Sequence, residues 1–265
     1  MATNQYQGIK YTKHKAEKVN DYLTLEEALQ ININNKPFSI TMRTPNNDDS
    51  LIRGLLYSED IYRGKEKLEI TYQKNKENSI TEANIIINES LLKTGYSNSR
   101  NFLSASSCGI CGKTELEEID ASCKIETSNK FSLEAITRMF DLMQTKQNTF
   151  ELSGGSHAAG AFTKKGELLC VMEDIGRHNA VDKVIGYLIN HNLLDQVKCI
   201  TVSGRVSYEI VSKTFAAKIP VLAAVSAPST LAVDFAKELG ITLLGFCREN
   251  KATCYAHPER IEELF

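Results

Sequence analysis

No run of this sequence is long and apolar enough to cross a bilayer. The most apolar stretch, Ile219 to Ala227, is far short of a span and is bracketed by Pro220 and Pro228. The opening residues, MATNQYQGIKYTKHK, lack the apolar core of a secretory signal, so a cytoplasmic protein without a membrane partner is expected. Charge of one sign is also missing. Against 31 Lys and Arg stand 33 Asp and Glu, a net of −2 over 265 residues, so no overall field recruits a nucleic-acid polymer and any basic site must be local. There is no internal repeat and no low-complexity tract. At 42% apolar and 24% charged residues, the chain is built to bury a core rather than to stay disordered.

Paired metal-ligand motifs are scarce too. Seven cysteines are scattered along the chain, and only Cys108 and Cys111 form a C-x-x-C. A structural zinc needs four ligands, normally two spaced pairs, and here neither a second C-x-x-C nor an H-x-x-x-H follows. The bland alternative, a composite site with Cys123 and a distant His that makes a zinc-stabilised nucleotide-binding module without catalysis, stays open beside a sulfur-handling pair. Thioredoxin-type chemistry fits less well, because that motif opens a helix after a strand. The surrounding S-A-S-S-C-G-I-C-G-K places glycines after both cysteines and a cation, Lys113, nearby. That combination favours the thiolate that a nucleophile or persulfide carrier requires. The polar, Ser-rich stretch from about residue 97 to 128 that holds it is expected to be a mobile, exposed loop.

The C-terminal half alternates strand-like and helix-like segments: Leu168 to Met172, His178 to Leu188, Cys199 to Val202, a helix with Ile210, Val211, Phe215 and Ala216, then Val221 to Val225. A helix striped by Leu231, Phe235 and Leu239 and stopped at Gly240 precedes a last strand, Ile241 to Phe246. That alternation predicts right-handed crossovers and an α/β fold with a largely parallel sheet covered on both faces. The N-terminal half reads as a smaller α+β part, with half-exposed strands at Phe38 to Arg43, Leu68 to Gln73 and Ala83 to Asn88. Leu51 to Tyr57 fits either helix or strand. A connecting helix is expected over Phe131 to Met143, capped by Ser132. The division falls at residue 128, giving parts 1–128 and 129–265.

Chemistry-bearing residues gather where these strands end. G-G-S-H-A-A-G-A surrounds His157 with small residues that permit close approach; the zinc-deaminase H-x-E is excluded, because Ala159 stands at the Glu position. E-D-I-G-R-H-N-A-V-D-K follows a strand and opens a helix, where N–H groups attract anions and Arg177, beside His178, can grip a phosphate. Helix capping by Asp174 or Asn179 explains one polar residue but not the whole cluster. S-G-R-V-S places Arg205 and Ser207 after another strand; it is neither a Walker A nor a G-x-G-x-x-G. Arg248 follows the last strand, next to Cys247, which reads as a small buried hydrophobe. Three arginines at one sheet edge of a nearly neutral chain imply an anionic ligand with more than one phosphate.

Taken together, C-G-I-C-G-K, G-G-S-H-A-A, E-D-I-G-R-H-N-A-V-D-K, S-G-R-V-S, V-S-A-P-S-T-L-A and L-G-F-C-R resemble the formate dehydrogenase accessory sulfurtransferase (FdhD) family, from about Arg43 to Arg260. Gly160 stands where that family's small-residue run has another Ala. The resemblance implies a cytidine-deaminase-like three-layer fold without the deaminase zinc, so no resident metal. It also implies a sulfur carrier that accepts persulfide sulfur from a cysteine desulfurase. The sulfur then passes to a molybdenum bis(guanylyl-molybdopterin) cofactor, a bound substrate that GDP would mimic, before or during its insertion into formate dehydrogenase. Cys108 becomes the persulfide-bearing residue and Cys111 its companion. Phe246, Cys247, Arg248, Glu249, Asn250 and Lys251 match the cofactor-binding stretch. A homodimer is among the expectations.

Overall fold

The computed structural model describes residues 2–64, 66–99, 125 and 129–262. The Cys108–Cys111 motif, Cys123 and most of the expected loop lie outside the described residues. The chain opens with a hairpin, β1 (Thr3–Tyr11) and β2 (Ala16–Thr24), that pairs only with itself. A four-stranded sheet in the order β4-β3-β6-β5 follows. It is formed by β3 (Glu27–Ile33), β4 (Lys36–Arg43), β5 (Ile70–Lys74) and β6 (Ile80–Ile85). Asn34 and Asn35, both with φ near +55°, make the tight β3–β4 turn that asparagine tolerates best. Between β4 and β5 runs α1 (Asp48–Ser58), so the ambiguous Leu51 to Tyr57 is helix. It buries Leu51, Ile52 and Leu56 on Leu29, Ile31, Ile33, Ala83 and Ile85 of the sheet. A short α2 (Thr94–Ser99) ends this part.

The second sheet has six strands in the order β12-β11-β10-β9-β7-β8: β7 (His157–Thr163), β8 (Leu168–Asp174), β9 (Val197–Val202), β10 (Val221–Ala224), β11 (Thr242–Arg248) and β12 (Lys251–Ala256). The sheet is mixed, not largely parallel as its helix–strand alternation suggests. Only β9-β10 and β10-β11 are parallel pairs. The reason is local: β7 and β8 are joined by a turn at Gly166 (φ +75°), β11 and β12 by Glu249-Asn250 (φ +53° and +57°), and connections so short permit only antiparallel pairing.

Helices cover both faces, as expected. On one lie α5 (Arg177–Asn190), α6 (Tyr208–Ala216) and α7 (Thr230–Leu239), packed on Ala159, Ala161, Ile200, Val202, Leu222 and Leu243. On the other, α3 (Leu133–Gln144) sets Ile136, Met139, Phe140 and Met143 against Phe162, Cys199, Val221 and Leu244. The Ser132 hydroxyl accepts from the Ala135 N–H at the start of α3, the cap read from the sequence. A short α4 (Asn148–Ser153) leads into β7. The stripe of α7 is rotated from expectation: Ala232, Ala236 and Leu239 are buried and Leu231 is 38% exposed. Small residues let this helix lie close to the sheet, which a Leu-first stripe would prevent.

The two parts meet where α1 crosses α5. A methyl on Gly186 would lie 1.8 Å from the Ser50 carbonyl oxygen, and one on Gly54 1.9 Å from that of Asp182. Only glycine lets these backbones touch.

Candidate functional site

Strand directions assemble the site. The carboxyl ends of β8, β9, β10 and β11 lie at one edge of the six-stranded sheet, together with the amino ends of β7 and β12. That edge therefore collects His157, the turn after Asp174, the segment 203–207, and the β11–β12 hairpin. Arg177, Arg205 and Arg248 share it, as their positions after strands suggest.

The dense polar motif after β8 divides by direction. Asp174, fully buried, accepts from the backbone N–H of Thr44 (3.1 Å) and of Gly176 (2.8 Å) and from Asn179 Nδ2 (3.0 Å). It also pairs with Lys183 Nζ at 2.7 Å. Lys183 donates in turn to the Thr44 carbonyl, and Asn179 to that of Met42. Asp182 meets Lys213 of α6 at 2.9 Å, with Glu59 at 3.3 Å. Glu173 accepts from the Thr149 and Phe150 N–H groups and the Ser156 hydroxyl, which caps α4. These residues fasten the N-terminal part, α4 and α6 to the sheet. Arg177 and His178 remain for the edge.

Those two sit in a cationic notch. His157 packs against Gly204, where a Cβ would fall 3.2 Å from its Nδ1 and 3.4 Å from Arg177 Cβ, so the glycine makes room for both. Burial, and then the charges of Arg177, His178 and Arg205, push the His157 pKa below its ordinary value, which keeps the ring neutral. Arg177 Nε is buried and has no hydrogen-bond partner among the described residues. Arg205 is exposed, and the N-cap of α5 is Gly176, which has no side chain with which to cap the helix. His178 Nε2 lies 3.0 Å from Ser207 Oγ and 3.1 Å from Glu209 Oε2, while Ser207 donates to Glu209 at 2.8 Å. The His178 contact, aided by Ser207, drives the Glu209 pKa down to about 2. Because one ring nitrogen faces both the hydroxyl and the carboxylate, this trio is not the nucleophile–base–acid relay of a hydrolase. Glu209 is a site neighbour that the motifs missed. Its only sequence signal is an acid two residues after Ser207 in a first helical turn.

Across β10, roughly 10 Å away at two strand spacings, stands the hairpin. A side chain on Gly245 would lie 2.9 Å from Pro228 Cδ, and Phe246 follows with φ +55°, a conformation rare for a bulky residue. The resulting bulge turns the Phe246 ring outward, 40% exposed, and the next side chain inward. Cys247 is consequently 3% exposed in the α3-side core, where burial raises its pKa to about 12. Of the stretch 246–251, then, Cys247 offers the edge its backbone alone. Glu249 and Asn250 form the turn, and Arg248 and Lys251, cross-strand partners, are exposed beside it.

Beyond Ser156 the run around His157 is the strand β7. Ala158, Ala159, Ala161 and Phe162 are buried in β7, and Gly160 is required there because a Cβ would lie 2.9 Å from Thr201 Oγ1. Burial also raises the pKa values of Cys170, to about 12, and Cys199, so neither supplies a thiolate near neutrality. Among the described residues no cluster of His, Cys, Asp and Glu could hold a metal ion, and no helix is long and apolar enough to cross a membrane.

A model of the FdhD/NarQ family matches residues 24–262. The chain belongs to this family. Among its relatives, the "Sulfur carrier protein FdhD" of Sulfolobus acidocaldarius is 42% identical over 244 residues, covering 91% of this chain and 92% of that protein. The protein of the same name from Streptomyces avermitilis is 38% identical over 251 residues, covering 91% and 89%. A crystal structure from Desulfotalea psychrophila, described as a formate dehydrogenase accessory protein, superposes with a TM-score of 0.77 over 99% of this chain and 100% of that one. At 17% identity, this likeness speaks to the fold alone.

Proposed function

We propose that this protein is a sulfur carrier that serves formate dehydrogenase in the cytoplasm. In this reading it takes sulfur from a cysteine desulfurase as a persulfide and delivers it to a molybdenum bis(guanylyl-molybdopterin) substrate held at the arginine-bearing edge. The observation that supports it is the cationic notch itself: His157, Arg177, His178 and Arg205 lie together, and Arg177 keeps a buried N–H that no group among the described residues accepts. Such a notch suits a diphosphate, which offers acceptors and charge at once. The exposed Phe246 ring, with Arg248 and Lys251, gives the same edge a flat apolar surface beside further cations, appropriate to a purine nucleotide.

Sulfur loading follows from thiol chemistry. The Cys108 thiolate attacks the terminal sulfur of the donor persulfide; a new S–S bond forms as the donor's breaks, and the donor leaves as its thiolate, so no external oxidant enters. Cys111, three residues on, is placed by the sequence to shield or receive that sulfur. Burial raises the pKa values of Cys170, Cys199, Cys247 and Cys254, which favours the closely spaced C-x-x-C pair for this role.

The experiment is mass spectrometry after incubation with a cysteine desulfurase and cysteine. One added sulfur on Cys108 or Cys111, lost in Cys108→Ala together with cyanide-releasable sulfur, is expected. Stoichiometric zinc on both cysteines with no labile sulfur would overturn the proposal in favour of a zinc-stabilised binding module.

A further inference from the structure

The β1–β2 hairpin takes no part in either the four- or the six-stranded sheet, and all of it but Thr24 lies outside residues 24–262 matched to the family. Each strand has nine residues, so the arm reaches about 30 Å. A two-stranded ribbon alone is marginal in water, and this one is exposed on both faces over nearly all its length. Tyr6, Ile9, Tyr11, Tyr22 and Leu23 stand 44–77% exposed along it. Its register puts Ile9, Tyr11, Tyr22, Ala16 and Lys18 on one face, which carries no acid. The tip is basic: Lys10, Lys13, Lys15 and Lys18 are exposed around a single acid, Glu17.

The root of the arm is tied to the site. Thr24 Oγ1 lies 2.6 Å from Ser153 Oγ, and a Cβ on Gly155 would fall 3.1 Å from Thr24 Oγ1, two residues before His157. On α4, at that root, Phe150 and Leu152 are 45% and 57% exposed and extend the apolar strip toward the sheet edge. The root of the arm therefore lies against the segment that leads into His157 of the cationic notch.

We infer that the β1–β2 arm is the docking element for the protein that receives the cargo, through a surface on that client that is acidic around an apolar centre. Aromatic side chains flanked by lysines fit a protein interface, where apolar anchors are ringed by charge. A face with one lysine among tyrosine, isoleucine and amides is a poor match to a phosphate backbone, which demands repeated cations. A symmetric tip-to-tip contact with a second copy would set lysines against lysines. This inference rests on the accessory role proposed above.

The test measures binding of the organism's own apo-formate dehydrogenase to full-length protein, to a Lys13→Glu/Lys15→Glu variant, and to a chain lacking residues 2–23. At low ionic strength, charge reversal should weaken binding at least tenfold, and the difference should shrink as salt rises. Deletion should abolish binding, while GDP affinity and persulfide loading stay as in the wild type. The exposed reversal variant guards against a deletion that fails to fold. Undiminished client binding by both variants overturns the arm's role and leaves sulfur carriage standing. A fall in sedimentation-defined oligomer size on arm deletion, without loss of client binding, assigns the arm to a second copy. Loss of retention on RNA rather than on the client also overturns it. No client binding by the wild type sinks this inference and the accessory role together; persulfide loading then reports separately on sulfur carriage.

Discussion

On the side of α5 that faces α1, α6 and the N-terminal part, buried charges meet their opposites: Asp174 with Lys183, Asp182 with Lys213, and, nearby, Arg43 with Asp48 at 2.7 Å. One helical turn away, at the sheet edge, two arginines crowd the neutral His157 ring. Arg177, Arg205, His157 and His178 share a notch in which no carboxylate of the described residues pairs with either arginine. The first arrangement holds the fold together, because a buried charge is tolerated only when paired and hydrogen-bonded. The second carries uncompensated positive charge that, after burial, lowers the His157 pKa, and a bound anion relieves that charge. Residues 173–183, which a motif reader meets as one block, serve both purposes.

Breaking the paired side should have the largest effect. Lys183→Met leaves Asp174 buried without its cation and is expected to lower stability by about 3–5 kcal/mol in urea unfolding; a loss below about 1 kcal/mol would mean that these pairs do not hold the fold. Gly186→Ala forces α1 and α5 apart and should cost about 1–3 kcal/mol by the same measurement. Disturbing the cationic side should leave stability nearly unchanged and move ligand binding instead. In Arg177→Gln the affinity for GDP, followed by calorimetry, should fall about tenfold, equivalent to about 1.4 kcal/mol, and equal affinity would remove the notch from the site.

The pH dependence sharpens the contrast. His157 has a folded-state pKa below its unfolded value of 6.5, so protonation favours the unfolded chain. Stability from this group is intact above pH 6.5 and drains as pH falls below it. Arg177→Gln, by removing a neighbouring charge, should shift the His157 titration upward in NMR and flatten that decline. Glu209 acts in the same direction but in a more acid window: depressed from 4.5 to about 2, it adds stability above pH 4.5 that is lost as pH falls toward 2. Glu209→Gln should erase this small acid-side component, read as a smaller difference between unfolding midpoints at pH 5 and pH 3.

Much of the candidate site was legible because its signals are local. A β-branched run followed by Gly, Arg or Ser and then a helical stripe says where a strand ends, and that places Arg177, Arg205 and Arg248. Pairing was not legible. Nothing in Ala158 to Phe162 reveals a central strand, since a run of Ala and Gly has no period, and its packing needs Thr201 and Met143 from elsewhere in the chain. Likewise, the inward turn of Cys247 depends on a bulge at Phe246, which the contacts of Gly245 with Pro228 and Tyr255 accompany.

The sequence by itself determined the strand–helix alternation from Leu168 to Phe246, the near-neutral charge, the isolated C-x-x-C, and the arginines that follow three strands, because composition and short-range periodicity act on neighbours along the chain. The tertiary structure alone decided which polar residues of one motif pair inward and which face the edge, and that the sheet mixes directions. It also brought Glu209 to His178 and rooted the hairpin arm against Ser153 and Gly155, just before His157. Each of these depends on contacts between residues tens to more than a hundred positions apart, where packing and the cost of burying unpaired charge, rather than local preference, select the arrangement.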